Sequence, residues 1–130
     1  MKKRRPKRSS LIKSLDKEFS LYIRRRNAKN NIATCFTCGK KDHYKNLQNG
    51  HFMSRKHYST RWDETNCQVQ CVKCNIFRNG EQFKFGVLLD KKYGKKTAEQ
   101  LLLKSHQIQK WTTQDLKDKI EYYKQLNKTF

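Results

Sequence analysis

A chain of 130 residues carrying a net charge of +20 is long enough for one domain with tails and too short for a two-domain enzyme built around a large cofactor. Such an excess of Lys and Arg over Asp and Glu points to a polyanionic partner, nucleic acid first. With 35% hydrophobic and 12% aromatic residues, full disorder is excluded as well. No apolar run, Val87-Leu88-Leu89 included, approaches the ~20 residues of a membrane span. The basic start is not followed by the apolar segment of a secretory signal. The expectation is a cytoplasmic protein with no membrane association and no small-molecule cofactor.

Residues 1–10 read as a basic arm, either a phosphate-contacting segment or a solubilising tail. Over residues 11–30 the apolar positions Leu11, Leu15, Phe19, Tyr22 and Ile23 recur at helical spacing after Ser9-Ser10, which predicts an amphipathic helix. Arg24, Arg25 and Arg26 close it, favourable to the helix dipole and candidates for phosphate contact, or a solvated last turn. Residues 31–94 change character: cysteines, histidines and short alternating stretches such as Cys67-Gln68-Val69-Gln70-Cys71 predict strands. The segment 75–85 reads as a helix interrupted near Asn79-Gly80, and the apolar face continues to Gly94. In residues 95–130, Thr97-Ala98-Glu99-Gln100 and Thr112-Thr113-Gln114-Asp115 read as capping boxes opening two helices, through Leu101 to Ile108 and Leu116 to Leu126, expected to form a helical hairpin.

Five cysteines are arranged around two C-x-x-C pairs, which suits metal ligation in a reducing compartment better than disulfides. Cys35-Phe36-Thr37-Cys38-Gly39 and Cys71-Val72-Lys73-Cys74 together specify a tetrahedral structural zinc site. Cys67 is left over and reads as a small buried hydrophobe. The 32 residues between Cys38 and Cys71 exceed a zinc-ribbon spacing, so a substantial element lies between the pairs.

Within that insertion, Leu47 to Phe52 reads as a strand ending near His51, with Asn66 before the second strand and Asn75 directly after Cys74. A neutral imidazole, with a reference pKa of ~6.5, can take a proton from water near neutral pH. Against this stands the plainer reading of a structural strand-end histidine, with the asparagines as turn formers. Arg55, Lys56 and Arg61 crowd the same loop, where guanidinium groups can grip phosphate. Trp62 is placed to stack on an exposed base or, more simply, to pack the hairpin.

His51, Asn66, Cys71-x-x-Cys74 and Asn75 resemble the HNH, ββα-metal or His-Me finger nucleases. Longer blocks, Phe19-Ser20-x-Tyr22-Ile23-Arg24-Arg25-Arg26, Cys35-Phe36-Thr37-Cys38-Gly39-Lys40, Gly50-His51-Phe52 through Asn66 and Gln70-Cys71-x-x-Cys74-Asn75, are similar to the phage NinG (Rap) recombination proteins. The placing of Asn75 is also similar to that in phage endonuclease VII. These resemblances imply an α+β fold: a zinc-stapled ββα core flanked by an N-terminal helix and C-terminal helices. They further imply metal-dependent cleavage of branched DNA such as Holliday junctions and D-loops, with His51 as general base, Asn66 holding its loop and Asn75 binding Mg²⁺ or Mn²⁺.

Many such enzymes carry Asp just before the base, where this chain has Gly50. His57 is the favoured substitute ligand, with the carboxylates of Asp63, Glu64 and Glu81 as further candidates. Paired incision of a junction would call for a homodimer, to which the apolar faces of residues 101–108 and 116–126 could contribute. The competing readings are a non-catalytic zinc-stapled nucleic-acid-binding module and a nuclease that cuts linear duplex.

Overall fold

The apolar spacing of the first predicted helix is realised as α1 (Arg8–Arg25), which buries Leu11, Leu15, Phe19 and Ile23. The computed structural model describes residues 5–130; the first four residues of the predicted basic arm lie outside that range. α1 begins at Arg8 without a side-chain cap on Lys7, so the end of the expected arm is already helical. After Arg25 the chain turns through Asn30 and Asn31, both in the left-handed region at φ 52° and 66°, a conformation asparagine tolerates better than most residues.

Two small antiparallel hairpins follow. In the first, β1 (Ile32–Thr34) pairs with β2 (Lys41–His43) around the first cysteine pair. In the second, β3 (Gln48–His51) pairs with β4 (Cys67–Gln70), in the register Gln48 opposite Gln70 and His51 opposite Cys67. A single π-helical turn, Lys73–Phe77, carries Cys74 and Asn75. The chain then reverses through Asn79, Gly80 and Glu81, all at positive φ, and enters α2 (Gln82–Tyr93). This is the predicted interruption, and Gly94 at φ 117° ends α2. The result is a mixed α+β domain.

The last two helices differ from expectation in caps, length and partners. α3 (Thr97–Ser105) lacks a capping box, because Lys96 in the left-handed region is its N-cap and the Thr97 hydroxyl instead donates to the Gly94 carbonyl at 2.7 Å. It ends at Ser105, leaving Ile108, expected on its apolar face, 90% exposed. α4 (Thr113–Asn127) does open with the Thr112–Asp115 box. The two do not form the expected hairpin as their main packing: α3 packs on α2, and α4 on α1.

The principal core joins Leu11, Leu15, Phe19 and Ile23 of α1 to Leu116, Ile120 and Tyr123 of α4, with Trp62 and Cys67 beneath. Phe19 meets Tyr123 edge-on at 5.0 Å between ring centres. Each fully buried Leu, Ile or Phe here is worth about 1.5–3 kcal/mol relative to exposure. The apolar face of α4, expected at a dimer interface, is therefore used within the chain. A second cluster, Phe85, Leu89 and Leu101 with Phe36, Phe52 and Met53, fastens α2 and α3 to the hairpins. Among the described residues no helix is long and apolar enough to cross a membrane.

Candidate active site and metal centre

The two C-x-x-C pairs converge although 32 residues separate them. The sulfurs of Cys35, Cys38, Cys71 and Cys74 all lie within 4.8 Å of one another, with Cys38 and Cys71 3.6 Å apart. Zinc–sulfur bonds of ~2.3 Å in a tetrahedron set sulfurs about 3.8 Å apart, so these four thiols fit a structural zinc ion. Gly39, at φ 79°, makes the turn that brings its own N–H within 3.0 Å of the Cys35 carbonyl. Burial pushes the Cys35 thiol up, but hydrogen bonds from the Cys71, Cys38 and Thr37 backbone and the Thr37 hydroxyl outweigh it and bring the group down to about 6. Burial raises Cys74 to about 12, with the neighbouring Cys71, Cys38 and Cys35 thiols adding to the rise. Cys67 stands apart in the main core with no exposed surface, its thiol held far above its usual range by burial. It is the packing residue it was expected to be.

Beside the zinc site, β3, the π turn and α1 enclose an open cleft of 790 Å³ lined by Asp16, Arg24, Asn49, His51, Arg55 and Asn75 among others. His51 Nε2 is 2.9 Å from the Arg61 carbonyl oxygen. A nitrogen facing a carbonyl at that distance carries the proton, so the neutral ring keeps its lone pair on Nδ1. Burial holds the His51 pKa below its ordinary value; the hydrogen bond to Arg61 and the Asp16 charge oppose this, and the charges of Arg55 and Arg61 add to it. The ring is thus neutral and basic near neutral pH.

Asn75 lies in the same cleft. Its backbone N–H donates to the Cys71 carbonyl at 2.9 Å, so the zinc knuckle sets its position. Its side-chain Nδ2 donates to Gln48 Oε1 at 2.8 Å, leaving the amide oxygen as the remaining acceptor. Asn66 lies behind the cleft, fully buried. Its Oδ1 accepts from Met53 N at 2.8 Å, and its Nδ2 donates to the Met53 and Thr60 carbonyls at 3.0 Å. One side chain thereby pins both ends of the loop that follows His51.

The basic side chains divide. Arg24 and Arg55 line the cleft, Arg24 with its Nε donating to Ser20 and its Nη1 to the Tyr44 carbonyl at 3.2 Å, and Lys56 is exposed. Arg25 lies 5.0 Å from the rings of Tyr44 and Phe130. Arg26 and Arg61 are engaged inside the chain. Arg26 donates to the carbonyls of Glu64 and Cys67 at 3.0 and 2.8 Å. Arg61 forms a two-pronged pair with Asp16, Nε to Oδ1 at 3.1 Å and Nη2 to Oδ2 at 2.5 Å. Trp62, 5% exposed, donates to Asp16 Oδ1 at 2.9 Å; it packs the hairpin and leaves no face for a base.

None of the four substitutes weighed for the residue at Gly50 lines the cleft. His57 faces His106, ring centres 6.4 Å apart. Asp63 accepts from the Thr65 and Asn66 backbone and pairs with Lys104 at 2.6 Å. Glu64 accepts from the Tyr123 hydroxyl, and Glu81 pairs with Arg78. The carboxylate among the cleft's lining residues is Asp16. In the sequence it follows the buried Leu15 and reads as an ordinary acid on a helix, with nothing local to mark it.

The lining combines the guanidinium groups of Arg24 and Arg55 with hydroxyl and amide side chains and a single carboxylate, Asp16. Both Asp16 oxygens already serve Arg61 and Trp62, so the Asn75 amide oxygen is an uncommitted oxygen that could hold a hard cation.

A family model described as the bacteriophage lambda NinG protein matches residues 1–130. Comparison with curated proteins and with solved structures returned no match. With every residue of the chain inside that match, the chain belongs to the bacteriophage lambda NinG protein family.

Proposed function

We propose that this chain is a metal-dependent endodeoxyribonuclease of the HNH, or ββα-metal, type that cuts branched recombination intermediates. The observation carrying the reading is His51: a half-buried, neutral imidazole tied through Nε2 to a backbone carbonyl, in a cleft flanked by Arg24, Arg55 and Asn75. A merely structural histidine has no need of a basic cleft beside it. The β3–β4 hairpin, the zinc-anchored turn and α2 supply the ββα order of elements.

In this mechanism the backbone phosphate enters between Arg24 and Arg55, whose charges attract and orient it. His51 Nδ1 accepts a proton from the attacking water, while the Arg61 carbonyl stabilises the imidazolium that forms on the far nitrogen. Water attacks phosphorus, the bond to the 3′ oxygen breaks, that oxygen takes a proton from solvent water, and the products carry 5′-phosphate and 3′-hydroxyl ends. Asn75 would hold a divalent cation, Mg²⁺ or Mn²⁺, which would supply Lewis-acid stabilisation of charge on the phosphate. Asn66 keeps the loop, and hence the Arg61 carbonyl, in register.

Recognition by shape rests on the +20 charge and on the absence, among the described residues, of a long basic helix standing free of the domain. A junction offers two equivalent strands, so we place paired incision in a homodimer whose contact uses Leu102, Leu103 and Ile108, all exposed.

The test compares wild type and His51→Ala on labelled four-way junction, D-loop and linear duplex, with Mg²⁺ or EDTA. Both proteins are first checked for zinc content and DNA binding. Metal-dependent nicking of branched DNA by wild type, lost in a variant that still binds, is the expected result. Binding by both with cutting by neither makes the chain a zinc-stapled DNA-binding module. Cutting of linear duplex at a preferred sequence makes it a nuclease of another specificity.

A further inference from the structure

We propose that Asp16, on α1 and outside the zinc-stapled hairpins, is a positioning residue for His51, acting through Arg61. The proposal rests on the reading of His51 as a base, but its test does not depend on cleavage.

The atoms form one continuous path. Asp16 holds the Arg61 guanidinium at two points, a geometry that fixes both the distance and the plane of the group. The third arm, Arg61 Nη1, donates to the Arg55 carbonyl at 2.9 Å. Trp62 Nε1, from the next residue, converges on the same Asp16 oxygen. Two successive side chains of the loop are thereby fastened to one carboxylate on α1. The backbone oxygen of the first of them is the acceptor for His51 Nε2, so Asp16, together with Asn66 behind the loop, sets where that oxygen lies. Its position in turn decides which ring nitrogen carries the proton and which way Nδ1 is aimed.

The pair also has a reason to be ionic. Arg61 is 15% and Asp16 23% exposed, and the Asp16 carboxylate answers a cation that would otherwise lie uncompensated beside the base. A brace of merely structural purpose could have been made from apolar residues of similar volume at no loss of stability. The anchor itself is firm, because Leu15, the neighbour of Asp16, is fully buried in the α1–α4 core.

The experiment uses the full zinc-loaded chain with ¹⁵N-labelled histidine and reads the His51 tautomer from long-range ¹H–¹⁵N spectra. The variants are Asp16→Asn and Arg61→Lys; the first keeps the shape and the second the charge, and both lose the two-pronged pair. In wild type His51 shows the Nε2–H tautomer alone. In each variant that keeps its zinc, the two ring nitrogens move towards averaged shifts. Nicking of a four-way junction falls about 10- to 100-fold with junction affinity unchanged, the range for residues that orient a reactive group from behind.

An unchanged tautomer and rate in a folded variant overturns the proposal, and so does loss of zinc and fold in both variants, which would make the pair a fold brace alone. If wild type cuts no DNA, the functional reading fails while the tautomer still decides whether Asp16 positions His51.

Discussion

Replacing Gly50 by Ala tests how the two hairpins and the zinc site are joined. An ideal Cβ at Gly50 would lie 1.9 Å from Gln70 Oε1, 2.6 Å from its Cδ and 2.9 Å from its Cγ. Gln70 cannot swing aside cheaply: it is fully buried, and its Nε2 donates to Thr37 Oγ1 at 3.1 Å and to the Gly80 carbonyl at 3.0 Å. Overpacking of a close-packed interior costs about 1–3 kcal/mol, and each forfeited hydrogen bond about 1 kcal/mol more. Gly50→Ala is therefore expected to cost about 3 kcal/mol, which for a domain of this size lowers Tm by about 12 °C. Thermal denaturation of the zinc-loaded protein measures it, in a cycle with Gln70→Ala. That second change removes the three clashing atoms, so Gly50→Ala in the Gln70→Ala background should cost less than about 1 kcal/mol. An equal cost in both backgrounds, or a Tm drop below about 4 °C in the otherwise wild-type chain, would refute the reasoning. The same contact gives a physical reason for the missing acid before His51: any side chain at Gly50 meets Gln70, which links the zinc knuckle to the turn at Gly80.

Two further outcomes are expected. Elemental analysis should find one zinc per chain, retained by Cys67→Ala and lost in Cys38→Ser; zinc loss in Cys67→Ala would contradict the assignment of the four ligands. Structural zinc sites contribute on the order of 10 kcal/mol of binding free energy, so chelation should also lower Tm sharply. Burial holds His51 below its ordinary pKa, so between its folded value and the reference of about 6.5 the unfolded chain binds the extra proton. Stability therefore rises with pH through that window, and the loss that begins as pH falls below about 6.5 is complete once pH has passed the folded value. His51→Gln should flatten this dependence of Tm on pH, and an NMR titration giving His51 a value above 6.5 would contradict it.

Much of the site was legible before any coordinates. The cysteine ligands announce themselves because a C-x-x-C pair must bring two thiolates to one ion; Asn75 directly follows the second pair, whereas His51 reaches the same cleft only through the β3–β4 pairing. His57 misled because it is close to His51 in the chain and rich in coordinating chemistry, yet the loop between Phe52 and Asn66 turns it towards His106. Arg26 and Arg61 read as phosphate ligands by charge, although each has its guanidinium filled by carbonyls or a carboxylate of the chain itself.

By itself the sequence determined the helices with strong apolar periodicity, the four zinc thiols, the break at Asn79-Gly80 and the family. These are set by spacings of a few residues, where backbone geometry leaves few choices. Only the tertiary structure decided that α4 covers α1, that Gln70 closes the space at Gly50, and that Asp16 reaches Arg61 across 45 positions of chain. A hydrogen bond between groups so far apart depends on how whole faces pack. An acid beside a buried leucine looks the same in sequence whether it meets water or a guanidinium.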